Sequence, residues 1–214
     1  MRVNTIRLRV MLGVLGMILP WIVVLLQLFN GVENFVWPSS ISATYYTNAS
    51  TVFMIILGSA AILLMCYKGY EWYDDLTLSL AGVAALGICL FPTWDKAQLV
   101  GTFMLDHNTS STIHNIFAII FFGLLSYNSI FLFTKGDKNP TNKKKIRNII
   151  YIVSGIGMLA SFLIFLIPDA CFQLDGTNIK IWLLETIALF FFGLSFLTKA
   201  DVFPFLFCDT PYKD

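Results

Sequence analysis

The sequence predicts an all-α polytopic membrane protein, a six-helix bundle with both termini on the cytoplasmic side, and three observations carry that prediction. Hydrophobic residues make up 57% of the chain and charged residues 13%, with a mean hydropathy of +0.75, a balance too apolar for a water-facing surface. The apolar residues arrive in six runs of about twenty, the length that crosses ~30 Å of hydrocarbon. Twelve of the fourteen Lys and Arg fall on the termini and alternate connections, which the excess of basic residues on inner loops assigns to the cytoplasm.

The first run, 8–29, follows Arg2, Arg7 and Arg9 and has no small-residue cleavage site, so it reads as a retained span rather than a signal peptide. An outward loop, 30–48, carries no basic residue, and its aromatics suit a membrane interface. The second run, 49–67, leads through the acidic and aromatic turn "KGYEWYDD" into the third, 76–92. That third run is the shortest, ~26 Å of helix, and it closes in "LFPTWD", where Pro92 cannot continue a helix. The fourth, 112–134, opens behind Ser110, Ser111 and Thr112, any of which can cap its free amides. A lysine-rich linker, "KGDKNPTNKKKIRN", separates it from the fifth, 148–167, and the sixth, 179–199. The linker's role is topological, with attraction to anionic headgroups as a compatible second role. No connection has room for a soluble domain, so 1–214 is read as one membrane domain.

A weak internal repeat is visible. "FAIIFFGLLS" (Phe117 to Ser126) and "IALFFFGLS" (Ile187 to Ser195) align without a gap when Gly123 meets Gly193, and the preceding runs both end in a proline with an aspartate beyond. Spans 3–4 and 5–6 then form two parallel hairpins; the plainer alternative is that Phe, Leu and Gly recur in any helix this apolar. At the same offset Asn115 aligns with Glu185, which sets His114 and Asn115 at the depth of Glu185. Gly58, Gly123 and Gly193 read as sites of close helix packing.

Glu185 is the carboxylate well inside a predicted run, ~9 Å below the outer end of its helix. An acidic residue at mid-membrane costs near ~3 kcal/mol and needs a partner or a wet cavity. It is therefore a candidate proton acceptor, metal ligand or headgroup anchor, or else a protonated acid hydrogen-bonded to a neighbouring helix. His114 lies in the first turn of the fourth helix, where the dipole disfavours imidazolium and leaves the neutral ring that a general base or metal ligand must be; the plainer reading is a polar residue at the water line. His107 reads as a solvated loop residue. The seven-residue separation of the two is not a zinc-helix spacing, and a mixed site with Asp95, Asp106, Asp169 or Glu185 would have to be assembled in space. The outward loop contributes Glu33, Trp37, Ser40, Ser42 and Tyr45 and is expected to fold over the mouth of the bundle. A serine nucleophile there would need His114 as its base, and nothing resembles a nucleophile elbow. Cys66, Cys89, Cys171 and Cys208 form no CxxC pair. With no phosphate loop, dinucleotide fingerprint or basic nucleic-acid patch, no cofactor, metal or nucleic acid is expected. Membrane lipids are the expected partners, and a homo-oligomer is compatible with the sequence.

Three features, "WPSSIS" (Trp37 to Ser42), "LFP" (Leu90 to Pro92) and "IHNIFA" (Ile113 to Ala118), together resemble the prokaryotic six-span proteins of domain of unknown function 998. More distantly, the chain is similar to the superfamily of damage-regulated autophagy modulators and GPI-anchor remodelling proteins, which share an outer Pro-x-Ile-Ser motif. The resemblance implies six membrane helices in the plasma membrane of a prokaryote, an outward loop over the bundle and a connection to lipids, but no settled reaction. It marks Pro38, Ser40, Ser42, Pro92 and His114 as motif positions without roles. The chain departs from the eukaryotic pattern in "ATYYTN", where an acidic residue and glycine usually follow. Seven-span hydrolases related to alkaline ceramidase hold zinc on three histidines, and this chain has two.

The expected function is binding of a lipid headgroup or small amphiphile at an outward mouth formed by Glu33, Trp37, Ser40, Ser42, Tyr45, His114, Asn115 and Glu185. One alternative is a membrane-embedded lipid-modifying enzyme with His114 and Glu185 as catalytic candidates; another is a proton-coupled transporter working through Glu185. The first alternative requires the two side chains to stand within about one water of each other.

Overall fold

The computed structural model describes residues 2–29, 35–69, 71–93, 99–136, 141–174 and 176–202, with side chains from Thr5 onward. Among them are six α-helices: α1 (Arg2–Phe29), α2 (Ser50–Met65), α3 (Trp72–Leu90), α4 (His107–Tyr127), α5 (Asn142–Ser161) and α6 (Lys180–Lys199). Two-residue ladders form small hairpins in the connections, β1 (Leu99–Val100) with β2 (Leu105–Asp106), and β3 (Gln173–Leu174) with β4 (Thr177–Asn178). Five helical stretches are long and apolar enough to cross a membrane.

Helix starts depart from the apolar runs because polar caps set them. The span that comes out short is α2, with 16 residues, and not α3. Glu71 and Asp74 form a reciprocal capping box that starts α3 at Trp72, ahead of the apolar run. Asp106 accepts from the amides of Asn108 (3.1 Å) and Thr109 (3.2 Å), so α4 begins at His107 and not behind Ser110 to Thr112. His107 is therefore helical, and Ser110 turns inward to donate to the Pro92 carbonyl at 2.8 Å. Thr141 accepts from the Lys144 amide at 3.2 Å and winds much of the lysine-rich linker into α5.

Each helix packs on its neighbours in sequence, and α6 closes the ring on α1. Leu12, Val23, Leu64, Leu78, Leu125, Met158, Phe192 and Phe196 are buried between the helices, while Ile55, Ile119, Ile149, Ile156 and Leu163 are exposed on the outside. An apolar exterior of this kind suits hydrocarbon rather than water. The succession of six helices puts the start of α1 and the end of α6 at one end of the bundle, the terminal end; the other, carrying the 35–49 connection, is the strap end.

The α1–α6 seam is close. A methyl group at Gly193 would stand 2.7 Å from the Gly13 carbonyl oxygen and 2.4 Å from the Met17 side chain. Gly58 and Gly123, expected to pack in the same way, face open space; Gly123 follows buried Phe122, and one further residue turns ~100° around the helix. At the terminal end α4 widens into a π-helical turn, Asn128–Leu132. There Thr77 Oγ1 lies 3.1 Å from the side-chain amide oxygen of fully buried Asn128, and Ser129 donates to the Tyr151 carbonyl at 2.7 Å. Ser195 lies 2.7 Å from Ser129 and supplies the hydrogen for that contact, because the Ser129 proton is already committed.

At the strap end the buried Lys180 ammonium caps the 3-10 continuation of α5, donating to the carbonyls of Phe165 (3.0 Å) and Ile167 (2.6 Å) and to Asp169 (2.9 Å). Its hydrogen bond holds the Asp169 carboxyl below the ordinary carboxylate value. A lowered folded-state value gives stability that is present above the unfolded pKa and is lost as pH falls through the folded one. Lys180→Met is expected to flatten the acid limb of a detergent thermal-stability profile; an unchanged limb would remove the role of this pair. Gly193→Leu should destabilise the bundle by ~1–3 kcal/mol, whereas Gly123→Leu stays within about 0.5 kcal/mol, as measured by unfolding in mixed micelles.

Candidate functional site

The strap is built from short-range polar contacts. Ser40 accepts from the Ala43 amide at 2.8 Å and Thr44 donates through its hydroxyl to the Ile41 carbonyl at 2.6 Å, which tightens Ser42–Tyr46 into a 3-10 turn. On one side the Trp182 amide donates to the Ser39 carbonyl at 3.0 Å, and the Trp37 and Trp182 rings meet edge to face at 5.0 Å. On the other, Tyr46 donates to the Thr93 carbonyl at 2.7 Å. The strap thus lies across the mouth, tied to α6 and to the segment that follows α3.

Beneath it three side chains from three elements meet. Glu185, from the second turn of α6, accepts the Ile41 amide on Oε2 and lies 2.8 Å from Ser42 Oγ through Oε1. Ser42 Oγ is 3.1 Å from His114 Nε2, and His114 Nδ1 is 2.8 Å from the Phe91 carbonyl oxygen. Both His114, 3% exposed, and Ser42, 6% exposed, are buried.

Hydrogen counting constrains the trio. The Phe91 carbonyl can only accept, so Nδ1 carries a hydrogen and donates. In a neutral imidazole Nε2 is then a lone pair, and Ser42, with one hydrogen, faces two acceptors if Glu185 is ionised. Both contacts are hydrogen bonds only when the trio holds one more proton. Either Glu185 is a carboxylic acid donating to Ser42, which donates to Nε2, or imidazolium donates to Ser42, which donates to the carboxylate. Two short proton hops through one hydroxyl interconvert these states, and the first buries no charge.

A cavity of about 40 Å³ lies against the trio, walled by Leu19, Phe53, Leu57, Phe121, Phe122 and Leu189 among others. One water needs ~10–15 Å³ by this measure, so the space takes a few waters or a short alkyl end, and its walls favour the latter. Near the strap the buried indole nitrogens of Trp37 and Trp182 have no acceptor among the described residues. Along α4 the buried Phe121, Phe122 and Leu125 separate His114 from the Asn128 cluster, and Phe192 packs against Phe121 at 6.3 Å.

Of the residues expected at the mouth, Ser42, His114 and Glu185 converge. Ser40 and Trp37 shape the strap, and Tyr45 packs edge to face on Tyr46 at 5.1 Å. Asn115 is exposed: the neighbour of a lumen-facing helical residue points elsewhere, so the partner at the depth of Glu185 is His114 alone. Glu33 and Asp95 lie outside the described residues. His107 is ~10 Å from His114 along the helix and stands 3.8 Å from Asp106; Asp106 caps α4 and Asp169 holds Lys180. Among the described residues no three of His, Cys, Asp or Glu gather closely enough to hold a metal ion. The Ile41 amide, the Phe91 carbonyl and Trp182 were not legible as site groups, because backbone groups carry no sequence signal and Trp182 reads as an interface anchor.

No protein-family model, curated protein or solved structure matches this chain.

Glu185→Ala strands the Ile41 amide, at a cost of ~1–3 kcal/mol. It is expected to accelerate hydrogen exchange across 41–46, while Glu185→Gln, which keeps an acceptor oxygen, preserves most of the protection. Equal protection in the alanine variant would show that Glu185 does not hold the strap.

Proposed function

We propose that this chain is a membrane protein that binds an amphiphile of the outer leaflet, with the polar group of the ligand at Ser42, His114 and Glu185 and its apolar end in the cavity below. The observation that carries this reading is the junction itself: a hydrogen-bonding trio on three elements opens onto a space walled by hydrocarbon, the composition expected of a small-ligand site. The indole donors of Trp37 and Trp182 add capacity for a headgroup oxygen. Lys180 is the described basic residue of the strap end, against Arg7, Arg9, Lys68, Lys135, Lys143, Lys144, Lys145, Arg147 and Lys199 at the other, and this asymmetry supports an outward-facing strap. A connection to lipids is also what the distant resemblance of "WPSSIS", "LFP" and "IHNIFA" implies.

A second reading, a lipid-modifying enzyme, is favoured by one specific observation. His114 and Glu185 are joined through a single hydroxyl, as close as one intervening water would bring them, so they can exchange a proton during a reaction.

Native mass spectrometry of the detergent-released protein tests the binding. A discrete lipid adduct is expected on the wild type, weakened about tenfold, or ~1.4 kcal/mol, by His114→Ala, and displaced by Ala118→Phe, at a position that also lines the cavity, which fills that space and removes no member of the trio. Asn115→Ala should change nothing. Undiminished adducts in both His114→Ala and Ala118→Phe would sink the proposal.

A further inference from the structure

Binding alone does not require a serine hydroxyl fixed between an acid and a base. The His114 tautomer is set by the Phe91 carbonyl, which aims the Nε2 lone pair at Ser42 Oγ 3.1 Å away. This is the geometry of a nucleophile and its general base, with a backbone carbonyl in the orienting place that a carboxylate fills elsewhere. Ser42 and His114 both line the apolar cavity. Glu185, on the far side of the hydroxyl, keeps the proton that the hydrogen count assigns to the trio, and a neutral carboxylic acid can donate to an oxygen on which charge develops.

From this arrangement we infer that Ser42 is an acyl-accepting nucleophile and that the ligand class of the site is a carboxylic ester of a lipid, its apolar portion seated in the cavity. The inference rests on the proposed binding of an amphiphile at this mouth. Ser42 Oγ forms a bond to the ester carbonyl carbon while its proton passes to His114 Nε2. The carbon–oxygen bond to the alcohol portion then breaks, and the departing oxygen takes that proton from Nε2. Glu185, in its acid form, donates a hydrogen bond to the carbonyl oxygen and retains its proton throughout. Water or an acceptor alcohol completes the cycle by the reverse sequence, freeing Ser42. Ser40 has no such role: its hydroxyl accepts from the Ala43 amide, within the strap.

The test is covalent capture by the full chain in detergent, with p-nitrophenyl butyrate and a short alkyl fluorophosphonate as probes and peptide mass spectrometry as the readout. An adduct on Ser42 is expected in the wild type. Ser42→Ala should give none, and Ser42→Cys should recover acylation from the ester, which separates loss of the nucleophile from loss of fold. His114→Gln should slow adduct formation at least ~100-fold, the low end of general-base contributions. A wild type that retains lipid in native mass spectra but forms no adduct at position 42 overturns the inference and leaves the binding reading standing. A wild type that retains no lipid and forms no adduct overturns both, and labelling that persists in Ser42→Ala assigns the reactivity elsewhere and overturns the inference.

Discussion

The structure depends on one constraint, that in a bundle whose exterior is apolar the backbone groups freed where the chain leaves the α-helix must find their partners inside the protein. A helix satisfies its own backbone; the strap, which is not an α-helix, cannot do so completely. Its Ile41 amide is answered by Glu185, its Ser39 carbonyl by the Trp182 amide, and its Ser42 hydroxyl by two side chains from α4 and α6. The same rule operates where α5 loosens into a 3-10 turn and Lys180 collects the freed carbonyls; the π turn of α4 closes its own backbone bond, from the Phe133 amide to the Asn128 carbonyl, and sets the Asn128 and Ser129 side chains against Thr77, Tyr151 and Ser195. At the strap and at the end of α5, the departure from α-helix is accompanied by a named donor or acceptor.

Seen this way, Glu185 performs two tasks that share one requirement. As a latch it holds strap to bundle; as a member of the trio it shares a proton with a base. Both need a carboxyl group kept from bulk water and fixed in orientation, so a site suited to acid and base chemistry comes with the closure of the mouth.

Much of the architecture was legible in the sequence because hydrocarbon imposes a length and an apolar composition on every crossing segment. Five of the helical stretches have that length and composition, while α2, with 16 residues, falls short of it. Helix starts were not legible from apolar runs: Asp106, Thr141 and the Glu71–Asp74 box lie outside those runs, and capping is decided by local hydrogen bonds rather than by hydropathy. At the site, the depth of Glu185 and the environment of His114 pointed to both residues, but Ser42 stood as one of several serines in a polar loop. Only the fold of the strap distinguishes it from Ser40, two residues away, because that fold points one hydroxyl at a backbone amide and the other at an imidazole. Asn115 shows the converse error, a depth inferred correctly along the helix axis with the wrong face around it.

The strap also bears on time. Were the proposed amphiphile to leave past the strap, that opening would have to break the contacts to Glu185, His114, Trp182 and Thr93. On that route residence at the mouth would be set by the strap's own contacts as well as by those the occupant makes, so a weakly held molecule would still be a long-lived one.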